Sequence, residues 1–561
     1  MTVRIAIIGS GPTGIYTLKG LVGSTIPLHI TIIEAESDPG MGTPYHPDIN
    51  DRAMLSNIAS IELPAICETL VEWLRRQPDS ELQRLGIPRQ AIREREFYPR
   101  VVLGEFLQAQ FLQLVRHGQQ HGHVVDIKAR TRVVDIALQE NDIHLTLQMP
   151  DQSIAHTAHD HVVMATGHNW PENIEVKPGY FLSPWPATAL KRIEACPVGI
   201  LGTSLSGIDA LITLATAHGA FYLDAGGQLD YHPAAGTEAF KVTMMSRKGV
   251  LPEADFYCEI PYRPPEICTV AAIDALLATG RHDLLDEVFE LFRQELVLAD
   301  PDYAADIGLS LLTVETIAAA YFKARETTDP FVWAARNLAE AERNKAAEYT
   351  VQWRYAILRM HEVVARIIPQ LDDTDLARFH KYFKTVFVDD YATVPHESIK
   401  RVLALRRAGK LDILALGNDY EIGTDTVARG AALTYAGGTA TFGAFIDATG
   451  QHPMSAADIP FPTLLEQGVV RKAATPDAKL IANDDGESTT RTGGIDLDAA
   501  FRPKFEQNLS NRLYCAAISF LLHKLPFVQG ITSAHEIGET VASAILAECA
   551  ASGEGSIQLA S

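Results

Sequence analysis

The 561-residue sequence predicts an α/β protein with two parallel β-α-β folds and an inserted, mostly helical region. The first observation is a glycine-rich loop, GSGPTG at 9–14, which directly follows the β-branched run VRIAIIG. The second is a loop of similar form, GTSLSG at 202–207, after the apolar run PVGIL. The third is a stretch with helical period and few β-branched runs, from about 262 to 400. A glycine loop between a buried strand and a helix opens a Rossmann-like domain, so two such domains are predicted.

The composition is typical of a soluble globular protein, with 47% hydrophobic and 21% charged residues. The net charge of −22 argues against binding to nucleic acid or to an anionic membrane surface. No apolar run reaches the roughly 18–20 residues that span a bilayer, and the N-terminus is predicted to be a strand rather than a signal peptide. The six cysteines form no C-x-x-C pair, which predicts a cytoplasmic protein with reduced thiols and disfavours a dithiol reductase.

The first glycine loop has the spacing of a dinucleotide-binding fingerprint. Its first glycine allows a tight turn, its second lets the backbone approach a pyrophosphate, and its third lets the helix pack on the strand. The phosphates then lie on N–H groups at the helix N-terminus. The next strand, HITIIE, ends in an acid 25 residues after the first glycine, where an acid binds ribose hydroxyls. The predicted cofactor-binding residues are Gly9, Gly11, Pro12, Thr13, Gly14 and Glu34.

The second loop follows the same logic, with a serine in place of the middle glycine. Its predicted cofactor-binding residues are Gly202, Thr203, Ser204, Leu205, Ser206 and Gly207. The strand that should carry the acid instead ends in Ser246, Arg247 and Lys248. An acid would repel a 2′-phosphate, whereas a hydroxyl and two cations favour one. This end of the strand therefore predicts NADPH rather than NADH, and a solvated charged turn is the alternative.

Two further strands end in the sequence ATG, and each follows one of the nucleotide folds. Such turns bring the chain close to a bound dinucleotide with little steric bulk. The first contributes Ala165, Thr166 and Gly167 as predicted cofactor-binding residues, and the second contributes Asp447, Thr449 and Gly450.

The order of these motifs resembles that of flavoproteins with two dinucleotide-binding domains, in which FAD binds the first fold and NAD(P)H the second. The segments GMGTPYHP (40–47), LSNIASIELP (55–64) and FYPRVVLGEFL (97–107), and the ending PFVQGITSAHEIGE, are similar to the bacterial FAD-NAD(P)-binding protein family. That family is related to flavin-containing and N-hydroxylating monooxygenases. The resemblance covers most of 1–260 and 400–545 but not the helical insertion. The aromatic-Gly-…-His fingerprint of flavin-containing and Baeyer–Villiger enzymes is missing before the second loop.

The resemblance implies roles for individual residues. The first loop and Glu34 would hold the ADP half of FAD, and the backbone of Val134 would contact adenine. Thr43 and Asn57 would lie near the flavin ring, and Asn57 matches an asparagine that sits near flavin N5 and the nicotinamide; a loop residue bonded to its own backbone is the alternative. The ribityl and pyrimidine side would be held by Asp447, Thr449, Gly450, Gln529 and Gly530. Arg100 would face a phosphate or the flavin, or make a structural ion pair.

Together, the motifs and the resemblance predict a domain order. We expect an FAD-binding domain over 1–190 and 431–548, and an NADPH-binding domain over 191–261 and 396–430. A helical insertion over 262–395 is predicted to be the substrate or lid region, and a disordered tail over 549–561. We predict no metal site, because the His-rich stretches 117–123 and 156–161 lack metal-binding patterns and are expected in solvated turns.

The implied activity is that of an FAD- and NADPH-dependent monooxygenase acting on a small-molecule substrate and O2. A C4a-hydroperoxyflavin would N-hydroxylate a small amine or amino acid, with aspartate as one candidate. The first alternative is a flavin-dependent NAD(P)H reductase or dehydrogenase without oxygen insertion. The second is a flavin-binding sensor without catalysis. The oligomeric state is not predicted.

Overall fold

A computed structural model describes residues 2–167, 174–450, 454–474, 491–505, 512–528 and 530–558. The chain divides into two compact units. The first comprises Met1–His46, Ile58–Asn169 and His452–Ser561, and the second comprises Pro47–Asn57 and Trp170–Gln451. No described helix is long and apolar enough to cross a membrane.

The helices and strands follow one another in three stretches. Residues 2–167 contain β1 (Val3–Ile8), α1 (Pro12–Val22), β2 (Leu28–Ile33), α2 (Leu70–Arg76), α3 (Asp79–Leu85), α4 (Arg100–Gln120), β3 (Val124–Lys128), β4 (Arg132–Leu138), β5 (Ile143–Gln148), β6 (Ile154–His159) and β7 (His161–Met164). Residues 174–450 contain β8 (Glu175–Lys177), β9 (Tyr180–Phe181), α5 (Ala187–Leu190), β10 (Pro197–Leu201), α6 (Leu205–His218), β11 (Gly219–Leu223), β12 (Leu229–Pro233), β13 (Lys241–Ser246), α7 (Val270–Leu277), α8 (Leu285–Ala299), α9 (Pro301–Asp306), α10 (Ile317–Glu326), α11 (Pro330–Ala347), α12 (Gln352–Ala365), α13 (Asp373–Arg378), α14 (Lys384–Tyr391), α15 (His396–Arg407), β14 (Leu411–Ala415), β15 (Tyr420–Gly423), β16 (Ala431–Tyr435), β17 (Gly438–Phe442) and β18 (Ala444–Asp447). Residues 454–558 contain α16 (Pro462–Glu466), β19 (Lys472–Ala474), β20 (Arg491–Ile495), β21 (Leu513–Cys515) and α17 (Gly530–Gln558).

The first unit is built on a five-stranded parallel sheet in the order β3-β2-β1-β7-β21. Its central strand β1 is buried over its last four residues, as expected for a β-branched run covered on both faces. The helices α1 and α17 approach each other closely at two glycines. A Cβ on Gly20 would lie 2.5 Å from the Cβ of Ala542, and one on Gly538 would lie 2.7 Å from the backbone nitrogen of Thr17. The C-terminal helix α17 therefore packs directly against α1, the helix that follows the first strand.

The second unit is built on a six-stranded sheet in the order β14-β13-β10-β18-β9-β8. Strands β14, β13, β10, β18 and β9 run in parallel, and β8 is antiparallel to β9. Helices α7–α14 lie between β13 and β14 in sequence and form the predicted helical insertion. The α/β fold class, with two Rossmann-like sheets and a helical middle region, is therefore confirmed.

The core of the insertion contains a network of buried charges. Arg354 pairs with Glu253, and both side chains are less than one-tenth exposed. Arg325 pairs with Asp389, which also accepts a hydrogen bond from the Tyr321 hydroxyl at 3.0 Å. Such pairs need good geometry, because removing one partner leaves a buried charge uncompensated.

One buried carboxylate of the same region has no partner. Asp390 is 0% exposed, and neither of its carboxylate oxygens makes a hydrogen bond. Burial raises its pKa well above the usual value, although Arg354 lowers it. The carboxyl group of Asp390 is therefore expected to carry a proton in the folded chain.

The predicted domain boundaries differ from the structure in two places. Residues 431–450 were assigned to the FAD-binding part, but β18 pairs in parallel with β10, so this stretch belongs to the second unit. The predicted disordered tail is wrong for residues 549–558, because α17 continues to Gln558. Cys549 is buried in the core of the first unit, and extending a formed helix adds one hydrogen bond per residue.

Three histidines expected in solvated turns are buried instead. His123 accepts a hydrogen bond from the Leu28 N–H at 3.2 Å, and its other ring nitrogen lies 3.2 Å from the Val22 carbonyl oxygen. Burial lowers the pKa of His159 and of His161 to about 4, so both rings are neutral near pH 7. The stretches that contain these histidines are mostly polar, so the sequence gives no sign of their burial.

Candidate functional site

The first glycine loop is shaped by two close backbone approaches. Gly9 has φ +97°, and a Cβ there would lie 2.3 Å from the carbonyl oxygen of Ala165. A Cβ on Gly14 would lie 2.2 Å from the carbonyl oxygen of Gly9. Both glycines are therefore required by the fold itself, because no side chain fits at either place.

Gly11 differs from its two neighbours in the motif. Its backbone has φ −70° and ψ −174°, which any residue adopts, and a Cβ there would meet only the Cα of Gly42 at 3.6 Å. The protein itself therefore has room for a side chain at Gly11. Helix α1 begins at Pro12, which has no N–H to satisfy, and no side chain caps it. An uncapped helix start beside a glycine that the fold does not need is typical of a phosphate-binding turn.

Glu34 follows β2 and holds the loop through its carboxylate. One oxygen accepts hydrogen bonds from the Ser10 N–H at 3.0 Å and the Ser10 hydroxyl at 2.6 Å. The other accepts from the N–H of Glu36 at 3.0 Å. The Ser10 hydroxyl in turn accepts from the N–H of Gly40 at 2.8 Å. Ser10 was missed in the sequence because it occupies a variable position of the motif, yet it is only 1% exposed.

The end of β7 lies against this loop. The Ala165 N–H donates to the carbonyl oxygen of Ile8 at 2.9 Å, which places Ala165 and Thr166 beside Gly9. Gly167 has φ +68° and open space where a Cβ would be, and its carbonyl oxygen accepts a hydrogen bond from the Ser519 hydroxyl at 3.3 Å. Ser519 ends the segment LYCAAIS (513–519), which is part of the family resemblance, but nothing in the sequence gives Ser519 a role of its own.

The remaining predicted residues of the first unit occupy turns and element ends. Thr43 begins a short 3-10 turn, and Arg100 is the first residue of α4. Burial raises the pKa of Tyr45 to about 12, against the lowering effect of the nearby Arg100 charge. Val134 is the extra residue of a β-bulge, because β5 pairs with the residues before and after it. Gly530 has φ +65° at the start of α17, and Gln529 lies outside the described residues.

The second glycine loop repeats the backbone geometry of the first. Gly202 has φ +127°, and a Cβ there would lie 2.5 Å from the carbonyl oxygen of Ala448. A Cβ on Gly207 would lie 2.4 Å from the carbonyl oxygen of Gly202. Ser204 precedes α6, is exposed, and makes no side-chain capping bond. Leu205 and Ser206 form the first turn of α6, and Thr203 is buried beside the neighbouring strand.

The end of β13 lies next to this loop. The Thr203 hydroxyl donates to the Ser246 hydroxyl oxygen at 3.1 Å, and the N–H of Gly249 donates to the same oxygen at 3.0 Å. Arg247 is exposed and makes no ion pair with any residue that the structure describes. Lys248 is paired with Glu326 of α10 at 2.6 Å. The two predicted cations therefore have different surroundings.

Asp447, Thr449 and Gly450 belong to this second loop rather than to the first. Asp447 is the last residue of β18, and Thr449 and Gly450 follow it. Strand β18 is the parallel neighbour of β10, whereas the resemblance assigns the three residues to the flavin. One Asp447 oxygen accepts from the Thr449 N–H at 3.0 Å and from its hydroxyl at 2.6 Å. The reason is topological: β18 stands to β10 as β7 stands to β1, so each sheet has its own ATG strand.

Two other predictions concern residues away from these loops. Asn57 is exposed at the end of the 47–57 segment of the second unit, and its catalytic role stays a prediction. No group of three or more His, Cys, Asp or Glu residues that could hold a metal occurs among the described residues.

Comparison with known proteins gives a family match within each unit. Residues 6–169 match the family described as FAD-NAD(P)-binding, and residues 269–391 match the YdhS-like middle domain. The uncharacterized protein YdhS of Escherichia coli (strain K12) is 42% identical over 546 residues, covering 97% of each chain. Among solved structures, the ornithine N-hydroxylase of Kutzneria sp. 744 is 11% identical, with a TM-score of 0.50 over 98% of this chain and 100% of that chain. Bacillithiol disulfide reductase from Bacillus cereus is 12% identical, with a TM-score of 0.44 over 98% and 100%.

The match over residues 6–169 confirms the predicted relationship to FAD-NAD(P)-binding proteins and confirms FAD and NAD(P)H as the cofactors. The likeness to the ornithine N-hydroxylase confirms the fold. The match over residues 269–391 makes the helical insertion a feature shared with YdhS. With 42% identity over nearly its whole length, the chain belongs to the YdhS family.

Proposed function

We propose that the protein is an FAD- and NADPH-dependent monooxygenase that N-hydroxylates a small amine or amino acid. The observation that carries the proposal is the presence of two glycine loops, each of which follows a strand of a different sheet. The next parallel strand is followed by an acid after the first loop and by two cations after the second. The first loop is followed by Glu34, and the second by Ser246, Arg247 and Lys248. Two such sites suit a flavin that is reduced by a 2′-phosphorylated nicotinamide cofactor.

In this proposal, the chain's own residues bind and orient the two cofactors. Gly11 lets the FAD pyrophosphate reach the start of α1, and the bulged backbone at Val134 contacts adenine. Arg247 supplies a free cation for the 2′-phosphate, and Ser246 keeps the turn closed through its bond to Gly249. Bound FAD would supply hydride acceptance and reaction with O2. The side-chain amide of Asn57 is the group proposed to hold a proton during the reaction.

The cysteines favour oxygenation over disulfide reduction. None of the six forms a disulfide, and four of them are buried. Burial raises the pKa of Cys268 and of Cys515 to about 12, so both remain protonated at neutral pH. A thiol that stays protonated is a poor nucleophile for disulfide exchange. The substrate class rests on the amine substrate of the structurally similar ornithine N-hydroxylase, and aspartate is one candidate.

The first experiment supplies purified, FAD-loaded protein with NADPH, O2 and a panel of small amines and amino acids, including ornithine and aspartate. We expect NADPH consumption that is matched by hydroxylated product rather than by H2O2. Stopped-flow absorbance of the reduced enzyme with O2 gives an independent readout. Immediate return of oxidised flavin, with H2O2 as the product for every amine, would favour a reductase or oxidase. Bound FAD that NADPH does not bleach would favour a sensor.

The second experiment tests the 2′-phosphate site with the double change Arg247→Ala and Lys248→Ala. Charge-assisted hydrogen bonds contribute about 1.5–3 kcal/mol each, so we expect at least about a tenfold loss of affinity for NADPH. Affinity for NADH should change little. Lys400→Ala is the matched control, since Lys400 is a surface lysine of the same unit that pairs with Glu342. An unchanged preference for NADPH over NADH in the double variant would refute the assignment.

A further inference from the structure

Helix α10 of the insertion contacts the turn that follows β13. The Lys248 ammonium lies 2.6 Å from a Glu326 carboxylate oxygen and 3.6 Å from the centre of the Phe322 ring. We propose that Glu326 is a specificity-determining residue, which competes with the 2′-phosphate of NADPH for Lys248. This inference rests on the proposed function, because it takes the end of β13 as the 2′-phosphate site.

The competition follows from the charges at this turn. Of its two cations, Arg247 has no ion pair among the described residues, whereas Lys248 is already neutralised by the insertion. A 2′-phosphate brings close to two negative charges, which attract Lys248 and repel Glu326. Binding of NADPH must therefore weaken or break the contact between Lys248 and Glu326. NADH carries no phosphate at that position and leaves the contact in place.

The turn is connected to the interior of the insertion a few residues further on. The carbonyl oxygen of Leu251 accepts a hydrogen bond from Arg325 at 2.6 Å, and Arg325 directly precedes Glu326. Glu253 accepts a hydrogen bond from the indole nitrogen of Trp333 at 2.7 Å and pairs with Arg354. These contacts are buried, so the backbone around Leu251 is fixed to the insertion. The contact between Lys248 and Glu326 is the half-exposed end of this connection, and it can change without disturbing the buried part.

Because both partners of the pair are 38% exposed, its strength is that of a surface ion pair. Breaking such a pair changes a binding constant by up to about fivefold. Removing the carboxylate of Glu326 should therefore tighten the binding of any ligand with a 2′-phosphate by about two- to fivefold. Ligands without that phosphate should bind as before.

The experiment uses isothermal titration of the FAD-loaded full-length protein with NADP+, NAD+ and 2′,5′-ADP. Glu326→Gln removes the charge at nearly constant volume. Glu342→Gln is the matched control, because Glu342 also pairs with a half-exposed lysine of this unit, at 2.8 Å. We expect tighter binding of NADP+ and 2′,5′-ADP by Glu326→Gln only, with the NAD+ affinity unchanged. The gain should shrink as the salt concentration rises, since exposed charges are screened.

Three outcomes would overturn the inference: no change in NADP+ affinity, an equal change for NAD+ and NADP+, or weaker NADP+ binding. The last would mean that Glu326 positions Lys248 for the phosphate instead of competing for it. Failure of the proposed cofactor site itself is recognised separately. In that case the wild type would bind NAD+ as tightly as NADP+, and the change of Arg247 and Lys248 to alanine would have no effect.

Discussion

Gly11→Ala tests whether a glycine at this position is needed for FAD binding rather than for folding. In the structure the new methyl group would lie 3.6 Å from the Cα of Gly42, at ordinary contact distance, and the backbone angles at Gly11 suit alanine. We therefore expect the FAD-free chain to lose less than about 1 kcal/mol in its free energy of unfolding, mainly because alanine is a poorer N-cap than glycine.

Gly14→Ala is the contrasting change within the same loop. Its methyl group would lie 2.2 Å from the carbonyl oxygen of Gly9, so helix α1 must move away from the β1 turn by about 1 Å to restore normal contact. Overpacking of this kind costs about 1–3 kcal/mol, and the obstacle is backbone that cannot rotate away. We expect the FAD-free Gly14→Ala protein to unfold at a clearly lower denaturant concentration than Gly11→Ala.

FAD binding should respond in both variants, but for different reasons. If the proposed assignment is right, a methyl group on Gly11 occupies the side from which the pyrophosphate approaches the N–H groups of α1. Loss of one hydrogen bond to a charged phosphate costs about 1.5–3 kcal/mol. This raises the dissociation constant of FAD at least about tenfold. The assay is quenching of flavin fluorescence on titration into FAD-free protein, combined with urea unfolding of the same samples. If Gly11→Ala binds FAD as tightly as the wild type, Gly11 does not face the pyrophosphate.

Two further predictions concern single carboxyl groups. Glu34→Gln replaces one carboxylate oxygen by an NH2 donor, so that either the Glu36 N–H or the two Ser10 donors lose their acceptor, and we expect at least fivefold weaker FAD binding and a loss of about 1–3 kcal/mol in stability; the exposed Glu36→Gln is the control, and equal FAD affinities for both would contradict the assignment. Because the pKa of Asp390 is raised in the folded chain, the folded state holds a proton that the unfolded chain releases above pH 4. Stability should therefore fall as the pH rises from about 4 toward the raised pKa, by up to about 1.4 kcal/mol per pH unit, and Asp390→Asn should flatten this dependence in urea unfolding measured between pH 4.5 and 8. An equally steep dependence in Asp390→Asn would refute the protonated state.

The parts of the fold that the sequence predicted are those specified by local patterns. Strand β1, its glycine loop and the acid at Glu34 form one continuous β-α-β unit, so the pattern that predicts them lies within a single short stretch of the chain. The same holds for the hairpin of β16 and β17, in which Tyr435 pairs with Gly438 across a short turn. Glycines that the fold requires, such as Gly9 and Gly14, are visible in the sequence because no other residue fits there.

The sequence failed where a strand had to be assigned to one of two similar sheets. The ATG strand ending at Gly450 has the same local pattern in either sheet, and only its pairing with β10 decides which cofactor it adjoins. The same limit applies to the insertion. Arg354 and Arg359 pair with Glu253 and Glu295, which lie far away in the sequence. No periodicity or spacing predicts such long-range ion pairs.

The difference between the two nucleotide sites lies at the second strand of each sheet rather than in the glycine loops. Both loops make the same contact, since the first glycine of each lies against the carbonyl of the ATG strand beside it. At the first site the carboxylate of Glu34 is occupied by N–H and hydroxyl donors of its own loop, so the negative charge is part of the loop structure. At the second loop the Ser246 hydroxyl oxygen accepts the hydrogen bonds that hold the turn. Arg247 is not needed for the turn, so its side chain is exposed and its charge is available. A hydroxyl can replace a carboxylate as the acceptor that closes such a turn without repelling a phosphate, so we expect the second loop, rather than the first, to accept a 2′-phosphate.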